Sequence, residues 1–259
     1  GHGRHGPHVG SGYERISFFT LRKSRIALGK TAVPGLFTQK PQRYAGVEVG
    51  QHAINVVELS QSRSGFELQA YAIEPLPTMA LHDLTGDTAK SVAHVLSVAL
   101  SKAGIQARSA AMSMPDTLVM CKTIQVETGL NEQDLELHVR LEAEHYVPYN
   151  LDEAALDFEV LGPCADDPYR TNVLLVVCRQ QALEWHQSVL VQAGLQAKVI
   201  DVRDHAHARG QHWLSGVPGY QPDNPFAGVN INPRLAPEAL FCDAAQLLTA
   251  CGLALRGFD

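Results

Sequence analysis

The chain has 259 residues, 45% of them hydrophobic, enough for one large domain or two small ones around a buried core. It carries 27 acidic and 21 basic residues, a formal charge of −6, but residues 1–40 hold seven Lys/Arg and one acid, leaving 14 basic and 26 acidic residues in a body too acidic to suit nucleic acid. Five cysteines without a CxxC pair (Cys121, Cys164, Cys178, Cys242, Cys251) read as reduced thiols, and neither a signal peptide nor an apolar run near the ~18 residues of a membrane helix stands out.

Residues 1–34 read as a basic leader outside the folded body. His2, His5 and His8 could bind a metal loosely, but a leader without order is the simpler reading. Ser17–Lys30 interleaves Phe18, Phe19, Leu21, Ile26 and Leu28 with Arg22, Lys23, Arg25 and Lys30. That pattern suits either an unstructured arm or a basic amphipathic segment drawn to anionic lipid.

Tyr44–Val49 and Ile54–Leu59 are rich in β-formers and flank the turn Gly50-Gln51-His52-Ala53, so they predict a β-hairpin with Gly50 at positive φ. Glu48 alternates with Val47 and Val49 and points to the face opposite both. A carboxylate beside a glycine turn whose N–H groups face outward can hold a hydrated cation and a phosphate together. Phe66–Ile73 alternates as a third strand, ended by Glu74-Pro-Leu-Pro77. Asp87 is the expected N-cap of a helix to Ala103. Val92, Val95, Leu96, Ala99, Leu100 and Ala103 form its buried face, and Gly104 its stop. Ser109–Met114 then reads as a short buried strand closed by Pro115, completing one α/β unit.

A second unit follows. Val119–Val126 is a strand, and Asn131 opens a helix with Asp134 three residues on, ending before Pro148. Glu136, Arg140 and Glu144 lace its solvated face rather than form a catalytic pair, and Leu135, Val139 and Ala143 mark the other side. Ala155–Leu161 and Asn172–Cys178 are strands, Gln180–Ala193 a helix stopped by Gly194, and Ala197–Val202 a strand. From about Gln211 to Phe241 the chain carries Pro218, Pro222, Pro225, Pro233 and Pro237 with Gly216, Gly219 and Gly228, which predicts a linker and not a second lobe. Asp243 is expected to cap a final helix, Ala244 to about Arg256, whose small residues suit close packing.

Other constellations are weak. Asp204, His205, His207 and His212 have His-x-His spacing, but the segment reads as a helix, where the two histidines diverge. Cys178 and Cys251 sit in apolar runs without a poised base. Trp185 and Trp213 read as packing residues.

Six segments, in order, carry a resemblance: Leu36-Phe37, Val56-Val57-Glu58-Leu59, Ala72-Ile73-Glu74-Pro75-Leu76-Pro77, Leu141–Pro148, Leu156–Gly162 and Ala250–Arg256. Together they resemble the PilM family of type IV pilus assembly proteins and, more distantly, the cell-division FtsA proteins, over residues 35–209 and 224–259. The resemblance implies an α/β fold: an actin-like (ribonuclease H-like) lobe with an inserted αβ subdomain. It divides the chain into a leader (1–34), a subdomain with a phosphate hairpin (35–115), an inserted partner-binding subdomain (116–180), a return to the first lobe (181–209), a linker replacing most of the second lobe (210–242) and a C-terminal connecting helix (243–259).

The resemblance further implies ATP with magnesium as the family ligand, held by Glu48 (through water to the metal), Gly50, Gln51, His52 and Asn55. Glu48 stands where the family usually has aspartate, and Asn55 where many relatives carry lysine. The second phosphate hairpin and the Gly-Gly adenosine loop are missing, so weak or absent ATP binding is expected. The implied role is a cytoplasmic adaptor at the inner membrane, gripping the N-terminal cytoplasmic tail of PilN between residues 44–115 and 116–180, and through PilN reaching PilO. No catalysis is expected. Apolar surface left bare on the connecting helices would favour a dimer. The alternatives are a sugar-kinase-like phosphotransferase, which lacks its base and complete cleft here, and an FtsA-like division anchor, which lacks its terminal membrane helix.

Overall fold

The computed structural model describes residues 42–62, 65–77 and 83–258. The leader, its histidines, the Ser17–Lys30 segment and Leu36-Phe37 lie outside the described residues. Two sheets organise the rest. The larger has six strands in the order β8-β4-β1-β2-β3-β9. In it β1 (Tyr44–Val49), β2 (Ala53–Ser62) and β3 (Gly65–Pro75) are antiparallel, while β4 (Ser109–Met114) and β8 (Gln196–Val202) run parallel to β1. The smaller has the order β5-β7-β6, all antiparallel, from β5 (Val119–Glu127), β6 (Ala154–Pro163) and β7 (Arg170–Arg179).

Helices α1 (Gly86–Ala103) and α3 (Gln180–Gln192) cover one face of the large sheet, because Ala45, Val47, Ile54 and Val56 alternate onto that face and meet Val92, Leu96 and Val189. The same core takes in Ala155, Leu174, Val176 and Cys178, so one face of the small sheet is fused to the first unit. Its other face, with Val173, Leu175 and Val177, is closed by Val139 and Ala143 of α2 (Glu132–Glu144). The N-cap of α1 is Thr85, not Asp87. Thr85 Oγ1 accepts from Thr88 N at 3.3 Å while Thr88 Oγ1 accepts from Thr85 N at 3.1 Å, a reciprocal pair that the exposed Asp87, bonded to Lys90, cannot offer.

The opposite face of the large sheet carries α4 (Arg203–Ser215), α5 (Pro237–Asp243) and α6 (Leu248–Ala254). Here three expectations change. The boundary at 209 falls inside α4. Asp243 caps nothing: it ends α5, a 3-10 turn follows at Ala244–Leu247, and α6 begins only at Leu248. The Pro/Gly-rich stretch is not a bare linker, since it buries Phe226, Val229 and Leu240 and adds a short strand, β9 (Asn230–Ile231), parallel to β3. Its apolar residues are too scattered for a periodicity to reveal, yet they pack with Leu214, Val57, Leu59 and Leu68. The connecting helices are therefore not left bare: every residue from Thr249 to Leu255 is buried, which removes the ground for expecting a dimer. Pro237–Phe258 is also long and apolar enough to cross a membrane, but over half of it is buried within the protein.

Candidate functional site

The hairpin forms as expected, with Val47 opposite Val56, Glu48 opposite Asn55 and Val49 opposite Ile54. Its turn departs in one respect. Gly50 does not have positive φ; the turn closes with Gly50 N–H donating to the Ala53 carbonyl at 2.9 Å. Gln51 and His52 stand exposed at the tip, and the His52 carbonyl accepts from Leu76 N at 2.8 Å, tying the tip to the end of β3.

Gly46 sets what happens behind the tip. A Cβ there would overlap the Ala250 carbonyl oxygen, so glycine lets α6 lie directly on β1. This brings the Ala244–Leu247 turn over the hairpin. Asn55 Nδ2 donates to Glu48 Oε2 at 3.1 Å and to the Gln246 carbonyl at 3.0 Å. Asn55 is only 8% exposed, and its Oδ1 is buried with no hydrogen-bond partner among the described residues. The predicted ligand set thus splits in two. Glu48 and Asn55 are brought together as a brace against the C-terminal helical segment, while Gly50, Gln51 and His52 form an open tip.

Sequence reasoning missed the groups that follow the parallel strands. After β4, Asp116 Oδ1 accepts from Asp204 N at 3.2 Å, and Arg203 Nε lies 3.3 Å from Asp116 Oδ2. Near the end of β8, the buried Asp201 accepts from Arg209 Nη1 at 2.9 Å, Arg256 Nε at 3.0 Å and Val202 N at 2.9 Å. A carboxylate at the carboxyl end of a parallel strand is the available signal. Its partners lie 8 and 55 residues away and follow no local pattern.

No side chain singled out as a nucleophile is activated. Burial pushes the Cys178 thiol up to about 12. Burial also raises Cys251, and burial with neighbouring Asp116 raises Cys121 to about 11. His205 and His207 diverge on α4; His207 Nδ1 lies 3.3 Å from Thr249 Oγ1, and burial lowers the pKa of His205. No cluster of three or more metal-ligating side chains occurs among the described residues. Trp185 is a packing residue whose Nε1–H donates to the Thr85 carbonyl and to Thr88 Oγ1, each at 3.1 Å, joining α3 to the start of α1. A cavity of about 700 Å³ lies away from the hairpin turn, lined by Trp213, Val217, Phe66 and Phe258 among others.

Residues 46–219 match the model of the family described as type IV pilus assembly protein PilM. Among solved structures, one titled as the PilM-PilN type IV pilus biogenesis complex superposes with a TM-score of 0.72 at 19% identity, covering 85% of this chain and 99% of that one. The match shows an actin-like mixed α/β fold here, and among the described residues only the two sheets above occur. A second structure, the cytoplasmic domain of EpsL, an inner-membrane component of the type II secretion system of Vibrio cholerae, gives a TM-score of 0.43 at 12% identity over 64% of this chain and 59% of that one.

Proposed function

Because the chain belongs to the PilM family of type IV pilus assembly proteins, we propose that it is a binding scaffold of the pilus assembly platform, not an enzyme, and that it holds the N-terminal cytoplasmic tail of PilN. The observation that carries this reading is the family match over 46–219, which spans both the hairpin unit and the inserted unit. Those units share one continuous core, from Met112 and Met114 of β4 through Trp185 to Val176 of β7. A tail gripped between them would meet a rigid seat rather than a hinge, which lowers the ordering cost of binding. The protein would then sit in the cytoplasm at the inner membrane, held there by PilN and linked through it to PilO, with no part for nucleic acid. A pull-down with the N-terminal peptide of the cognate PilN tests this; no binding at high peptide concentration overturns it.

The family implies ATP and magnesium, and the residues here do not fit them. Glu48, the carboxylate beside the hairpin turn, already accepts from the Asn55 amide. Asn55 is turned inward to the Gln246 carbonyl and away from any phosphate. Gln51 and His52 are exposed, and the only sheets among the described residues are the one carrying the hairpin and that of the inserted unit. Nucleotide sites bury most of their ligand, and an open tip cannot. Calorimetry with ATP and magnesium should show weak or no binding; tight, magnesium-dependent binding would defeat this half of the reading.

A further inference from the structure

The cavity lined by Phe66, Trp213, Val217 and Phe258 lies at the end of the large sheet where β3 begins. Phe66 joins its walls: its ring meets Trp213 edge-on at 5.4 Å and Phe258 at 5.0 Å. All four residues pack on the core beneath α6, yet all four remain partly exposed. Of the polar members of the lining, Arg209 donates to Asp201 at 2.9 Å. The chain enters the fold beside this cavity. Gln42, the first described residue, donates its N–H to the Gly257 carbonyl at 3.1 Å and its side-chain amide to Ser109 Oγ at 2.9 Å. A Cβ on Gly257 would overlap the Gln42 carbonyl oxygen, so the entering chain lies directly on the residue that precedes Phe258. Residues 36–41, just upstream, read Leu-Phe-Thr-Gln-Lys-Pro.

We propose that Leu36 and Phe37 of the same chain fill this cavity, as a latch that ties the entry of the fold to its C-terminal turn. The latch goes beyond the scaffold reading and does not rest on it. Reach supports it. Five residue steps separate Phe37 from Gln42, enough to span about 17 Å when extended. Phe258 follows Gly257 directly, and its ring is 5.0 Å from that of Phe66, so the cavity is within that span. Pro41 disfavours helical backbone at Lys40, which suits an extended spacer. The chemistry agrees as well: two apolar side chains, one aromatic, would meet three rings and a valine, and the polar spacer would stay in water. A second copy is the poorer occupant. A spacer of four residues presents Leu36 and Phe37 at an effective concentration on the order of mM, without the loss of free rotation and translation that a separate molecule bears.

The test uses the full chain labelled with 5-fluorotryptophan and read by fluorine NMR. The chain has two tryptophans. Trp213 lines the cavity, whereas Trp185 belongs to the core on the other face of the large sheet and reports on the fold alone. Trp213→Phe assigns the two signals. In the wild type the Trp213 signal should differ little between H2O and D2O. In Leu36→Ser/Phe37→Ser it should gain a clear solvent isotope shift, the Trp185 signal should stay in place, and Tm should fall by several degrees. Phe37→Leu, which keeps an apolar side chain, and Gln39→Ser/Lys40→Ser should both behave as wild type. If Trp213 meets solvent equally in the wild type and in Leu36→Ser/Phe37→Ser, the proposal falls. It falls too if the Gln39/Lys40 variant exposes Trp213 as far, since the effect would not belong to the apolar pair. If the wild-type Trp213 signal moves with protein concentration, a second copy fills the cavity and the latch is overturned. Should the double variant also move the Trp185 signal, Phe37→Ser alone decides by the same criterion. None of these outcomes touches the pull-down that tests the scaffold reading.

Discussion

Gly252 of α6 and Ala206 of α4 meet backbone to backbone: a Cβ added to Gly252 would overlap the Ala206 carbonyl oxygen. Gly210 makes the reciprocal approach to the Leu248 carbonyl. The two connecting helices therefore cross in contact, with no side chain between them, and α6 is at the same time laid on β1 through Gly46.

Substituting Gly252 by Val should force the helices apart. Overpacking of this kind costs about 1–3 kcal/mol, and more where, as here, backbone blocks relief on both sides. Thermal melting should show a clear loss, with Gly252→Ala milder than Gly252→Val. A Gly252→Val variant as stable as wild type would mean that the crossing is not tight.

Asp201 is 1% exposed and lies between Arg209 and Arg256, joining β8, α4 and the 3-10 turn at Leu255–Phe258. Asp201→Asn keeps the shape and removes the charge that both guanidiniums face. Removing one partner of a buried ion pair typically costs roughly 3–5 kcal/mol. For a chain of this size that corresponds to a fall in Tm on the order of ten degrees. A shift of only a degree or two would show that solvent or relaxation compensates.

His186 is buried on α3, its Nδ1 2.7 Å from the Ala182 carbonyl, and burial lowers its pKa to about 4. The folded value is below the unfolded one of about 6.5, so the unfolded chain binds the extra proton first. This contribution to stability is fully present above pH 6.5 and is lost as pH falls toward 4. Over that window the loss approaches roughly 3 kcal/mol, at 1.36 kcal/mol per pH unit. Urea titrations at stepped pH should show it, and His186→Gln should flatten the slope.

Asn55 links the hairpin to the Gln246 carbonyl. Asn55→Ala should leave the Glu48 carboxylate and that carbonyl without this donor, at a cost of about 1–3 kcal/mol. The more telling readout is local: amide exchange at Gln51–Ile54 should accelerate beyond the global change. Uniform acceleration would mean that Asn55 merely packs.

Most of the framework was legible in the sequence because it is written in local patterns. A wealth of β-formers around a glycine turn marked β1 and β2, alternation marked β3, and Val92, Leu96 and Ala99 marked the buried side of α1. Gly104, with φ of 67°, marked its end. The start of α1 was misplaced because Asp87 and Thr85 are both good caps, and only the reciprocal bond with Thr88 decides between them. Positions 210–242 looked like a linker because Phe226, Val229 and Leu240 are too widely spaced to show a period, although all three are buried. At the site, the sequence placed Glu48 correctly on the face away from Val47 and Val49. It could not show that Asn55 would turn inward, since the acceptor is a backbone carbonyl 191 positions away.

The position of α6 also constrains how the molecule is made. The helix fills one side of the large sheet, yet it follows in sequence every strand that it covers. During synthesis, Gly46, Val57 and Leu59 must wait uncovered until residues 248–258 have left the ribosome. A nascent chain that has not yet reached α6 should therefore be a client for chaperones.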